Sequence, residues 1–116
     1  MNPHYSGVAE RAAHRCKYCQ APEAVFNFPF EVEHIIPPGR GGADEDANRA
    51  LSCRSCNVFK SDHVEATDPL TGTRVPLFDP RRQRWQEHFR AEQGIGHLVG
   101  LTSVGRATIN LLQMSG

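Results

Sequence analysis

Four cysteines give the sequence its clearest chemical pattern, because they form two Cys-x-x-Cys pairs. Their positions are Cys16, Cys19, Cys53 and Cys56. Two such pairs in a reducing compartment are typical of a tetrahedral site in which four thiolates bind zinc. The alternatives are two disulfides or a redox motif, but a thioredoxin-like motif requires a β-α-β pattern around a single pair. We therefore expect a structural Zn²⁺, since four cysteine ligands leave no open position for water.

A second group of polar residues lies between the cysteine pairs and just after them. Its members are Glu33, His34, Asn48, Asn57 and Lys60. A neutral imidazole, whose unperturbed pKa is about 6.5, can take a proton from water, which makes His34 a candidate general base. Mg²⁺ prefers oxygen ligands, and Glu33 and the side-chain carbonyl of Asn57 would supply two. Lys60 lies one helical turn beyond Asn57 and would hold a phosphate. The set predicts hydrolysis of phosphodiester bonds.

From position 16 to position 60 the sequence resembles the HNH endonucleases, whose fold is a zinc-stapled ββα-metal finger. The residues that carry this resemblance are Cys16, Cys19, Glu33, His34, Gly41, Gly42, Asn48, Leu51, Cys53, Cys56, Asn57 and Lys60. The resemblance implies that His34 activates a water, and that Glu33 and Asn57 bind a divalent metal, Mg²⁺ or Mn²⁺. It implies that Asn48 pins the loop and helps to orient the histidine backbone, and that the substrate is DNA, most simply double-stranded.

One departure from the family concerns the residue before the histidine. The best-understood members have aspartate there, whereas this chain has Glu33, whose additional methylene changes the reach of the carboxylate. Neighbouring residues of a regular strand also point to opposite faces. Glu33 and His34 can therefore serve one phosphate only if the strand distorts at its end, where Pro37 and Pro38 follow.

Several basic residues are candidates for contact with the phosphates of a nucleic acid. They are Arg40, Lys60, His63, Arg81, Arg82 and Arg84. For Arg40 the competing interpretation is an ordinary loop arginine, and for His63 a solvated helix surface. Trp85 and Phe89 follow the arginine cluster, and we interpret them as core residues in preference to stacking platforms.

The segments that must position these residues indicate an α+β fold. Its centre would be a small ββα-metal core, also called a His-Me finger, that the four cysteines hold together. We expect a strand over 31–36 that forms a hairpin with 25–30, a loop over 39–50, and a helix over 54–66. Residues 1–15 would form a short helix or stay loose.

The rest of the chain predicts additional strands and a closing helix. A turn at 94–96 and strands in the stretches around it precede a final helix, for which Thr102 is a candidate N-cap. We expect one nuclease domain over 1–116, with its core at 16–66 and a β/α extension at 67–116.

Composition limits the class of protein. Hydrophobic residues make up 39 % and charged residues 22 % of 116 positions, which is typical of one soluble globular domain. Apolar runs are too short to span a bilayer and no secretion signal opens the chain, so we expect a cytoplasmic location and no membrane partner. Thirteen basic residues balance thirteen acidic ones, so only local basic clusters favour nucleic acid.

Two alternatives to a DNA nuclease remain open. A non-catalytic zinc-binding module for nucleic acid or protein would explain the cysteines, but not Glu33, His34 and Asn57 at their spacing. A nuclease that acts on RNA is the other alternative. The oligomeric state does not follow from the sequence.

Overall fold

A computed structural model of the chain describes residues 2–92 and 97–114. Within these ranges the helices are α1 (Tyr5–Arg11), α2 (Arg54–Lys60), α3 (Trp85–His88) and α4 (Ser103–Leu112). The strands are β1 (Glu31–His34), β2 (Arg49–Ser52), β3 (Glu65–Thr67), β4 (Arg74–Pro76), β5 (Phe89–Ala91) and β6 (Leu98–Gly100). Consecutive strands pair as antiparallel ribbons, β1 with β2, β3 with β4 and β5 with β6. This mixture confirms the α+β class.

The unit formed by β1, β2 and α2 is the ββα core. In its register, Glu33 lies opposite Ala50 and His34 lies opposite Arg49. The predicted hairpin between 25–30 and 31–36 is wrong, because β1 pairs with β2 across the long loop between them. The segment before β1 instead holds a 3₁₀ turn at Glu23–Val25 and then an irregular stretch in which Pro29 has no N–H to donate.

Helix α2 is shorter than the sequence predicted. It ends at Lys60, because Ser61 adopts a positive φ of 48°, which L-residues rarely enter. The last residues of the predicted helix over 54–66 fall in β3. The early end leaves Lys60 in the last turn of α2.

The C-terminal extension contains the additional strands and the closing helix that the sequence predicted. Helix α4 begins after Thr102, whose hydroxyl accepts a hydrogen bond from the Gly105 N–H at 3.0 Å, as expected of an N-cap. Arg106 in α4 donates two hydrogen bonds to Asp68, at 3.0 and 2.9 Å, and so ties the helix to the end of β3. The turn expected at 94–96 lies outside the described residues.

The hydrophobic core joins the finger, which comprises β1, β2, α2 and the four cysteines, to the C-terminal extension. Its buried side chains come from α1, the first cysteine loop, β2, the extension and α4, and include Val8, Tyr18, Leu51, Phe78, Phe89 and Leu112. Trp85 stacks on Phe89 and donates its indole N–H to the Tyr18 carbonyl at 2.7 Å, so both aromatics are core residues, as predicted. None of the helices in the described ranges has the length and apolar character needed to cross a bilayer.

Candidate metal centre and active site

The two cysteine pairs are presented by two different local structures. Cys16 and Cys19 lie in a tight loop closed by a β-bridge between Arg15 and Pro22. Gln20, at φ 67°, turns this loop and donates its N–H to the Cys16 carbonyl at 2.9 Å. On the other side, Cys53 is the N-cap of α2, and its sulfur accepts from the Cys56 N–H at 3.4 Å.

All four sulfur atoms lie within 4.8 Å of one another, and none is in a disulfide. The Sγ atoms of Cys19 and Cys53 are 3.9 Å apart. A tetrahedral ion with Zn–S bonds of about 2.3 Å would separate its ligands by roughly 3.8 Å, so the donor set fits zinc. Hydrogen bonds among the four sulfurs lower the pKa of the Cys16 thiol and raise the pKa of the Cys19 and Cys56 thiols.

Glu33 and Lys60 form a buried ion pair. Lys60 Nζ lies 3.2 Å from Glu33 Oε2, with side-chain exposures of 2 % and 4 %. The Lys60 ammonium also donates to the Ile35 carbonyl at 2.9 Å, and the Tyr18 hydroxyl donates to Glu33 Oε1. Burial raises the pKa of Glu33, and the attraction of Lys60 and the hydrogen bond from Tyr18 oppose that rise. As arranged, the Lys60 ammonium is enclosed by Glu33 and the Ile35 carbonyl, and its contact with a phosphate stays a prediction.

Asn57 has a different partner on the same face of the core. Its amide Nδ2 donates to Glu31 Oε1 at 3.0 Å. Asn57 and Lys60 do share one face of α2, but each faces its own glutamate of β1, Glu31 or Glu33. These side chains as arranged do not fit a divalent cation at the Glu33 position, because the lysine already balances the buried carboxylate. The predicted metal site of Glu33 and Asn57 therefore stays a prediction, and the present arrangement of Glu33 does not support it.

His34 lies on the opposite side of β1, as strand geometry requires. Its side chain is 35 % exposed, and Nε2 is 3.3 Å from Asp44 Oδ1. Arg49 donates to the same oxygen at 3.1 Å. Glu33 points inward to α2 and His34 points to the loop. The two adjacent side chains therefore lie on opposite sides of β1.

Asn48 is a clamp for the loop that follows β1. Its amide nitrogen donates to the carbonyls of Ile36 and Ala43, at 2.9 and 2.8 Å, and its amide oxygen accepts from the Ile36 N–H at 2.9 Å. Gly42 is required beneath this clamp, because a Cβ there would lie 1.7 Å from the Ile36 carbonyl oxygen. The geometry supports the loop-pinning role that the resemblance implies for Asn48.

The candidate nucleic-acid contacts are dispersed. Arg40 donates to the Asp62 carbonyl at 3.0 Å, which places it beside the exposed His63. Arg81 is drawn back to Asp46, whose carbonyl accepts from it at 3.1 Å. Arg82 and Arg84 are exposed, and Arg82 Nε lies 4.0 Å from Asp79 Oδ2.

Four residues that complete these contacts were not predicted from the sequence: Tyr18, Glu31, Asp44 and Arg49. Asp44 carried a visible signal, since it opens the acidic run Asp44-Glu45-Asp46 shortly after the histidine. Tyr18 and Arg49 carried none, because their roles depend on the pairing of β1 with β2.

An antiparallel strand pair followed by a helix, with four cysteine sulfurs gathered beside it, is the arrangement of a ββα fold with a candidate metal site. Residues 16–63, less than half of the chain, match the family model described as HNH endonuclease. Comparison with curated proteins and with solved structures found no match.

Proposed function

We propose that the protein is a divalent-metal-dependent endonuclease that hydrolyses phosphodiester bonds in DNA, with His34 as the general base. The observation that carries this proposal is the placement of His34 at the end of β1 within the residues that match the HNH endonuclease model, partly exposed and beside a carboxylate. A base must reach both water and the substrate, and an imidazole at the protein surface meets that condition.

The reaction is a displacement at phosphorus. The His34 imidazole takes a proton from water, the water oxygen forms a bond to phosphorus, and the bond to the leaving alkoxide breaks. That alkoxide then takes up a proton. If Asp44 accepts a hydrogen bond from Nε2–H, the lone pair that takes the proton lies on Nδ1.

Two metals belong to the proposal. Zn²⁺ in the four-cysteine cluster would stabilise the finger, because the donor set fits it and leaves no open position. Mg²⁺ or Mn²⁺ would supply the positive charge that phosphate chemistry needs when bound. Because Glu33 as arranged does not fit that ion, we assign it no ligand here and derive no step through it.

The test is cleavage of supercoiled plasmid DNA in the presence of Mg²⁺ or Mn²⁺. We expect the wild-type protein to nick the plasmid and His34→Ala to lower the rate by at least about 10²-fold, the range of general-base contributions. His4→Ala is the matched control, since His4 is an exposed histidine that lies outside the matched residues 16–63. Cleavage by His34→Ala at the wild-type rate would refute the role of His34. RNA and single-stranded DNA competitors would identify the preferred substrate.

A second candidate is a non-catalytic zinc-binding module that contacts nucleic acid or protein. The observation in its favour is that Glu33 and Asn57 are engaged by Lys60 and Glu31, as in a structural site. Binding of DNA without cleavage under every divalent metal tested would favour this candidate over the nuclease.

A further inference from the structure

The contact between Asp44 and His34 joins two residues that the sequence did not connect. Asp44 Oδ1 lies 3.3 Å from His34 Nε2, a separation that is long for a resting hydrogen bond but common in catalytic sites without substrate. Asp44 and His34 come from different elements, the loop after β1 and the end of β1 itself. Their approach is therefore a product of the fold.

An exposed carboxylate orients a histidine only if its own position is fixed. The Asp44 side chain is 78 % exposed, yet Arg49 Nη2 holds the same oxygen at 3.1 Å. Arg49 is itself almost buried in β2, with a side-chain exposure of 11 %. Arg49 lies directly opposite His34 in the register of the two strands, so one cross-strand neighbour places the carboxylate beside the imidazole.

Two further arginines, from outside the finger, bind Asp46 in the same acidic loop. Arg11 at the end of α1 donates to both carboxylate oxygens of Asp46, at 2.7 and 2.9 Å. Arg81 from the C-terminal extension donates to the Asp46 carbonyl at 3.1 Å. A single guanidinium nitrogen of Arg11, Nη1, contacts both oxygens, while Arg11 Nη2 donates to the Arg49 carbonyl at 2.9 Å. Elements outside the finger thus hold the loop that carries Asp44.

We infer that Asp44 is a positioning residue that orients the His34 imidazole, with Arg49 fixing the carboxylate. The inference rests on the proposed nuclease function. A carboxylate that accepts from one ring nitrogen fixes the tautomer and stabilises the imidazolium that forms when the other nitrogen takes a proton. The hydrogen bonds from Arg49 and then from His34 lower the pKa of Asp44, which keeps the carboxylate ionised for this purpose.

The first arm of the test is kinetic. Asp44→Asn should lower kcat for plasmid nicking by about 10- to 100-fold while KM changes little, because the substitution affects the base and not substrate binding. This loss is smaller than the roughly 10⁴-fold effect of the corresponding change in a serine protease, since Asp44 is exposed and its contact is longer. Asp44→Glu should recover part of the rate. Glu45→Gln, which removes the neighbouring exposed charge, is the control and should retain the wild-type kcat.

The second arm needs no cleavage. The ¹⁵N chemical shifts of the His34 ring in the zinc-loaded protein, without DNA, report which nitrogen carries the proton. We expect Nε2–H in the wild-type protein and a mixture of tautomers in Asp44→Asn. An unchanged tautomer in Asp44→Asn, or a kcat loss equal to that of Glu45→Gln, would overturn the inference. A changed tautomer in a protein that cuts no DNA would overturn the proposed function alone and support the Asp44–His34 contact.

Discussion

Lys60 Nζ lies 3.2 Å from Glu33 Oε2, and both side chains are almost completely buried between β1 and α2. Removal of one partner from such a pair typically costs about 3–5 kcal/mol, because an uncompensated charge stays inside the protein. We therefore expect Lys60→Met to lower the free energy of unfolding by an amount in that range, measured by urea denaturation. The double variant Lys60→Met/Glu33→Gln should recover a large part of the loss. Equal stability of the single and double variants would contradict a charge pair at this position.

The same pair predicts how Glu33 responds to divalent cations. Lys60→Met leaves the Glu33 carboxylate without its ammonium, so a cation can replace the lost charge. We expect Mn²⁺ to bind Lys60→Met more tightly than the wild-type protein in an electron paramagnetic resonance titration, with zinc already loaded. The double variant Lys60→Met/Glu33→Gln is the control, and it should show no such gain. Equal Mn²⁺ affinity in all three proteins would show that Glu33 is not the group that Lys60 withholds from the metal.

Loss of zinc should unfold the finger. Small fingers of this kind depend on metal binding for their folding free energy, and the described sulfurs already converge within 4.8 Å. We expect one zinc per chain by elemental analysis, and a large fall in Tm after chelation or in Cys56→Ser. Replacement of the exposed Ser55 by alanine is the control, since that side chain lies between the ligands without belonging to them. A protein that keeps its Tm without metal would contradict this prediction.

Substitution of Gly42 by a residue with a side chain should destabilise the protein. Because an added Cβ would lie 1.7 Å from the Ile36 carbonyl oxygen, Gly42→Ala must displace the segment that Asn48 clamps. We expect a loss of about 1–3 kcal/mol in the free energy of unfolding, typical of overpacking. Gly39→Ala offers a matched comparison, because nothing lies within 4 Å of its added Cβ. Similar losses in the two variants would mean that the clamp does not depend on this close approach.

The buried Asp68 carboxylate should make the stability of the protein depend on pH in the acidic range. The hydrogen bonds from Arg106 hold the pKa of this buried carboxyl well below its usual range. Asp68 therefore binds a proton more readily in the unfolded chain than in the folded protein. The stabilisation that ionised Asp68 gives to the folded protein is complete above the unfolded pKa of about 3.9, and it is lost as pH falls below that value. We expect the stability difference between the wild-type protein and Asp68→Asn to shrink as pH falls from 6 to about 3. A constant difference over that range would refute the assignment to Asp68.

Local patterns predicted much of the fold. The spacing of the cysteines, the N-cap at Thr102 and the core position of Trp85 each depend on residues within a few positions or on side-chain character alone. These predictions were confirmed for the cysteine cluster, for α4 and for the packing of Trp85 on Phe89.

The structure departs from the sequence-based predictions where contacts between distant segments of the chain determine strand pairing and burial. The partner of β1 is β2, which lies beyond a long loop, and no local signal distinguishes it from the nearer apolar segment 25–30. The burial of Lys60 was not predicted, because lysine usually lies at the protein surface. Tyr18 and Glu33 create the buried polar environment that it fills, and both come from segments far from α2 in the sequence.

The bond from the Trp85 indole to the Tyr18 carbonyl makes the metal state of the finger visible from the extension. Tyr18 lies between the cysteines of the first pair, and Trp85 is the sole tryptophan of the chain. Any rearrangement of that cysteine loop therefore changes the surroundings of one chromophore. We expect the emission of Trp85 to respond when a metal ion binds the four cysteines, so that binding can be followed without an added label.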